Sequence, residues 1–125
     1  MPLIPAIELN GFSIATDDTS GGVVVKLSGN GDSAAVQPLE GYLERLHSKL
    51  AAQEAAAVSV DLTQLYFMNS SCIKSLASWI HDVKTSPRPY SITMRLNTGL
   101  SWQKRTLKAL ARLAPSVVRV EDVTE

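Results

Sequence analysis

The chain has a single cysteine, Cys72, and only two histidines in 125 residues. It can form no internal disulfide, and it lacks the Cys/His set that a structural zinc site requires. No sign of charge is in excess: twelve Lys+Arg balance twelve Asp+Glu, so there is no overall attraction for nucleic acid or for an anionic bilayer. Aromatic residues make up only 6%, too few to suggest a stacking surface for single strands. The N-terminus carries Pro2, Pro5 and Glu8 where a signal peptide would have a basic stretch followed by an apolar one. No apolar run approaches the roughly 18 residues of a spanning helix. The expectation is a cytoplasmic protein with no nucleic-acid partner and no membrane insertion.

What is present suffices for a packed core. At 45% hydrophobic and 19% charged residues, a chain of this length reads as one domain spanning residues 1–125. Two strand candidates open it, Ile7 to Ala15 and Val23 to Ser28, separated by the turn-rich Asp17-Asp18-Thr19-Ser20-Gly21-Gly22. Gly29-Asn30-Gly31-Asp32 then breaks the strand pattern. Pro38 is tolerated only in a first helical turn, so a helix should start near Val36. Its apolar face is Leu39, Leu43, Leu46 and Leu50, at steps of three and four.

Val58, Val60 and Leu62 alternate with Ser59 and Asp61, and Leu65 with Phe67 resumes the alternation just before Asn69-Ser70-Ser71. Ile73, Leu76, Ala77, Ile80 and Val83 then repeat at helical spacing up to Pro87 and Pro89. A strand over Tyr90 to Leu96 follows. Next come a helix from Leu100 to Pro115, with Leu107, Leu110, Ala111 and Ala114 on one face, and a short strand over Val117 to Val120. The order β-β-α-β-α-β-α-β predicts an α/β fold with a mixed sheet and parallel neighbours. The carboxyl ends of parallel strands carry functional loops, which points to Asn69-Ser70-Ser71 and Asn97-Thr98-Gly99 at one edge.

The ungapped run from Asp61 through Asn69-Ser70-Ser71-Cys72 to Ile73 resembles the central signature of STAS domains, the family of bacterial anti-sigma factor antagonists. In that family an Asp-Leu strand end, a hydrophobic pair and an Asp-Ser-Ser/Thr-Gly-Leu helix start recur at this spacing. Asn69 stands where the family has Asp, and Cys72 where it has Gly. The resemblance implies a STAS-like mixed sheet and a non-enzymatic binding module that acts in signal transduction and transcription regulation. Its partners would be a serine kinase that doubles as an anti-sigma factor and a phosphatase that resets the switch. The phosphorylated serine carries over to Ser70, with Asn69, Ser71 and Asp61 as its surroundings. A phosphate near a helix N-terminus is stabilised by unpaired amides and the dipole, and a hydroxyl there can cap the helix. Asn69 removes one negative charge beside that phosphate and remains a good cap, whereas Cys72 adds bulk where glycine would let a partner backbone approach.

Other residues extend the candidate surface. Ser71, Ser75, Ser78 and Asp82 follow one another at steps of four, three and four, a short-chained polar stripe suited to docking or to plain solvation, with Lys74 beside it. Asn97 belongs to the neighbouring loop. Trp102 falls on the side of its helix away from Leu107 and Leu110, where it is either an interface anchor or a lid over a sheet edge. Lys104, Lys108 and Arg112 form a basic row with Arg105 alongside, in a stretch that has no acidic residue between Asp82 and Glu121.

Catalysis finds little support. His81 lies eleven residues along the same helix from Ser70, about 16 Å away, and no Gly-x-Ser-x-Gly elbow surrounds the serine. Gly29-Asn30-Gly31-Asp32-Ser33-Ala34 mimics a dinucleotide loop, but Pro38 delays the helix, so the segment reads as a turn. Cys72 near a helix start could have a lowered thiol pKa, against a half-buried structural role. The expectation is no catalytic residue, no metal and no cofactor. Two alternatives stay open: a constitutive STAS-like scaffold subunit without phosphorylation, and an enzyme using Ser70 or Cys72. A homodimer is also open.

Overall fold

A computed structural model describes residues 4–19, 22–53 and 57–123. The elements are β1 (Ile7–Leu9), β2 (Phe12–Thr19), β3 (Gly22–Gly31), α1 (Val36–Ala52), β4 (Ala57–Met68), α2 (Ser70–Lys84), β5 (Ser91–Asn97), α3 (Ser101–Ala111) and β6 (Val118–Val123). The six strands form one sheet in sequence order, antiparallel from β1 to β3 and parallel from β3 to β6. Because the parallel strands advance in one direction, right-handed crossovers lay all three helices on the same face.

Burial follows that layering. Val23, Val25, Leu27, Val58, Val60, Leu62, Ile92, Met94 and Leu96 point into the core. The expected Leu39, Leu43, Leu46 and Leu50 of α1, and Cys72, Leu76, Trp79, Ile80 and Val83 of α2, meet them there. Each fully buried Leu or Ile contributes about 1.5–3 kcal/mol. Tyr42 joins this face because its hydroxyl finds Thr16 Oγ1 at 2.7 Å. The opposite face of the sheet is polar, and one row of it alternates in sign: Lys26 lies opposite Asp61, Asp61 opposite Arg95, and Arg95 opposite Glu121.

The element order is the expected one with a strand added at the front. The first expected strand, Ile7 to Ala15, divides into β1 and β2 at Asn10-Gly11, where Gly11 takes φ 86°. The expected turn at Asp17 to Gly22 is tighter, since Asp17 to Thr19 pair with Val24 to Gly22; Ser20 and Gly21 lie outside the described residues. Gly29-Asn30-Gly31 does not break β3 but completes it. Gly29 has φ 90°, and a Cβ there would collide with the Gly11 carbonyl, so glycine lets β3 pass under the first turn.

The alternation expected through Leu65 and Phe67 fails for a physical reason. Opposite β3, β4 carries one extra residue between Asp61 and Gln64 and another between Leu65 and Phe67. Each bulge shifts the side-chain period by one. Leu62 and Thr63 are therefore both buried, while Tyr66 and Phe67 are 54% and 49% exposed. Among the described residues no helix is long and apolar enough to cross a membrane.

Candidate functional site

The junction of β4 and α2 is built by Asn69. Its backbone N–H donates to Gly31 O at 2.8 Å, which ties the helix start to the end of β3. Its backbone is extended, and its Oδ1 accepts from Cys72 N at 2.9 Å. The cap expected from the Ser70 hydroxyl is thus supplied by the Asn69 amide, and Ser70 becomes the first residue of α2. Ser70 and Ser71 are exposed, and neither side chain has a hydrogen-bond partner among the described residues. A helix start leaves its first amides without helical acceptors. Asn69 takes that of Cys72, which leaves the amides of Ser70 and Ser71 beside the two free hydroxyls.

Cys72 turns the other way. Its side chain is fully buried, with Sγ 3.6 Å from Asp32 O, so it adds no bulk to the outer surface. Burial, and secondarily the charge of Asp32, push its thiol above the ordinary range. Of the two readings of Cys72, the structural one holds, with the side chain more deeply buried than expected, and the thiol is not lowered because burial disfavours the thiolate. The two aromatic side chains turned out by the second bulge, Tyr66 and Phe67, stand four and three residues before Ser70. The sequence reading missed them. An exposed aromatic pair beside a helix start resembles the anchors of protein interfaces.

The remaining candidates separate into distinct places. Lys74 is exposed on the outer side of α2 with Ser70, and Ser78, also exposed, stands where that side meets the neighbouring α1. Ser75 is 9% exposed, with its Oγ donating to Ser71 O at 3.3 Å. It faces α1, so the expected polar stripe is not one flat surface. Ser75, Ser78 and Asp82 instead line a groove of about 260 Å³ between α1 and α2, with Glu40, Leu43, Glu44, His47, Ser48 and Trp79.

Asn97 is not at the Ser70 loop. Its Nδ2 donates to Thr63 O at 3.1 Å and its Oδ1 accepts from Gly99 N at 2.8 Å. From Thr63, β4 runs on five residues to Met68, roughly 15 Å at strand rise. The two loops share an end of the sheet at different heights. Trp102 packs partly buried against the core and its Nε1 is enclosed without a partner, so it is a lid and not an outward anchor. Asp61 lies nine residues upstream of Ser70, on the polar face of the sheet, and does not surround it. Burial pushes its carboxyl up, but two hydrogen bonds from Thr63, helped by Arg95 and Lys26, outweigh that and hold it below the usual value.

Neither histidine can serve Ser70. His47 Nδ1 lies 2.8 Å from the Tyr90 hydroxyl, which also accepts from Trp79 Nε1 at 3.0 Å. Burial pushes the Tyr90 phenol well above its ordinary range. Among the described residues no three His, Cys, Asp or Glu side chains could jointly hold a metal ion. Of the basic row, Lys108 pairs with Asp122 at 3.6 Å. Lys104, Arg105 and Arg112 make no ion pair among the described residues.

No protein-family model matches the sequence, and no curated protein matches it. Solved structures do match. An anti-sigma factor antagonist from Mycobacterium paratuberculosis is 21% identical, with a TM-score of 0.63 over 83% of each chain. A chain in the crystal structure of the diguanylate cyclase SiaD with its activator SiaC, from Pseudomonas aeruginosa, is 14% identical, with a TM-score of 0.71 over 96% of this chain and 100% of that one. SiaC of Pseudomonas aeruginosa on its own is 14% identical, with a TM-score of 0.60 over 98% and 100%. The fold is STAS-like.

Proposed function

We propose that this chain is a non-enzymatic protein-interaction switch whose state is set by phosphorylation of Ser70. The observation that carries the proposal is the placement of Ser70: exposed, first in α2, its hydroxyl unbonded, with the Tyr66–Phe67 pair just upstream. A phosphate here would sit on free amides at a positive helix end, so the fold would tolerate it. About −1.5 to −2 charges set beside an apolar pair would oppose the burial of that pair under a partner. By resemblance the partner is a serine kinase of the anti-sigma factor kind, with a phosphatase to reset the switch. Asn69, Ser71, Lys74 and Ser78 would frame the contact.

A second reading differs only in the partner. The match to a chain of the SiaD–SiaC structure extends over nearly the whole of this chain, and SiaC is there the activator of a diguanylate cyclase. The same switch would then regulate a nucleotide cyclase. A constitutive scaffold without phosphorylation is the outcome that would displace both readings. An enzyme using Cys72 is disfavoured by the burial and raised pKa of its thiol.

Peptide mass spectrometry of the protein purified from its own cells, with Ser70→Ala as control, tests the proposal. A phosphate confined to Ser70, and a partner captured by Ser70→Ala but lost with Ser70→Asp, is the expected result. No phosphate in any growth condition, with a partner held equally by both variants, would sink it.

A further inference from the structure

We infer that the groove between α1 and α2 is a self-association site that receives the C-terminal tip of α3 from a second copy of this chain. The groove has an apolar floor of Leu43 and Trp79 and a rim of three carboxylates, Glu40, Glu44 and Asp82, with no Lys or Arg among its lining residues. None of these three carboxylates makes an ion pair among the described residues. It therefore suits an apolar side chain flanked by cations.

The tip of α3 has that chemistry. Leu113 is 52% exposed and, apart from Tyr66 and Phe67, is the one large hydrophobic side chain so exposed among the described residues. It is preceded by Arg112, and Arg105 lies two turns back on the outward side of the helix. Both guanidiniums lack an ion pair among the described residues. The net charge of zero thus conceals an unpaired acidic groove and an unpaired basic tip.

Within one chain the two cannot meet. Lys84 reaches Leu113 O at 3.3 Å from one side of α2, while Asp82 lines the groove on its other side. The complementarity is met only between copies, in a head-to-tail contact that closes into a ring or runs on as a filament. Because the cations and carboxylates are exposed, the association weakens as salt screens them. It does not depend on the phosphorylation of Ser70.

Sedimentation velocity of the full chain over a concentration series tests this. The mean mass is expected to rise with concentration at low ionic strength and to return to the monomer at high ionic strength. Two surface variants identify the contact: Glu40→Lys with Glu44→Lys in the groove, and Arg105→Gln, Arg112→Gln and Leu113→Ser at the tip. Each alone should be a monomer. Mixed, they should form a 1:1 dimer and nothing larger, since one retains a native tip and the other a native groove. A wild-type chain that is monomeric throughout at low salt overturns the inference. So does self-association that persists in either variant, or a mixture that stays monomeric.

Discussion

Gln103 Nε2 donates to Leu65 O at 2.8 Å, and the same nitrogen reaches Leu62 O at 2.6 Å. The Gln103 Oε1 accepts from Asn97 N at 2.8 Å. One buried carboxamide on α3 thus satisfies the backbone of β4 where that strand bulges and outruns β5. Asn97 Nδ2 covers Thr63 O beside it. Without these side chains the segment leading to Ser70 would have unpaired carbonyls in the core.

Replacing Gln103 by Leu leaves two acceptors and one donor unpartnered, at about 1–3 kcal/mol for each buried unsatisfied group. With partial relaxation, Gln103→Leu should cost about 3 kcal/mol in urea unfolding. Gln103→Glu, which keeps the acceptor but loses the donor, should be at least as costly. A loss under about 1 kcal/mol would show that water replaces the amide.

The Asn69 cap has a definite worth. Asn69→Ala should cost about 1 kcal/mol by loss of the bond to Cys72 N, whereas Asn69→Asp keeps the acceptor and adds a charge at the positive helix end. Thermal melts should therefore rank Asp at or above Asn, and Ala below both.

Ser70→Asp places a charge at the first position of α2 without burying it. The melting temperature should stay level or rise slightly, corresponding to about 0.3–1 kcal/mol, and the rise should fade with salt. A clear destabilisation would mean that a phosphate there disturbs the fold as well as the surface.

Asp61 is held below its usual pKa in the folded chain. Its contribution is therefore fully present above the unfolded value near 3.8 and is lost as pH falls through the lower, folded value. Partial exposure keeps it small, about 1 kcal/mol or less. The stability difference between the wild type and Asp61→Asn should be level from neutral pH down to about 5 and should shrink below about 4.

Local pattern was enough for much of this protein. Leu39, Leu43, Leu46 and Leu50, Pro38 at the start of α1, and the helix beginning at Asn69-Ser70 depend only on residues a few positions apart, where the 3.6-residue period and capping chemistry act. These made the α/β order and the helix start beside Ser70 legible, while Ser70 itself is singled out by the resemblance of the run around it. What the sequence did not settle depends on partners distant in the chain. Tyr66 and Phe67 face solvent because β4 has two more residues than the stretch of β3 it pairs with, and Ser75 turns inward because α1 packs beside α2. Gln103 is buried because β5 ends before β4 does. Periodicity reports the bonds a segment makes with itself; register, strand length and the fate of a polar side chain in the core are set by the element across from it, and only the tertiary structure brings that element into place.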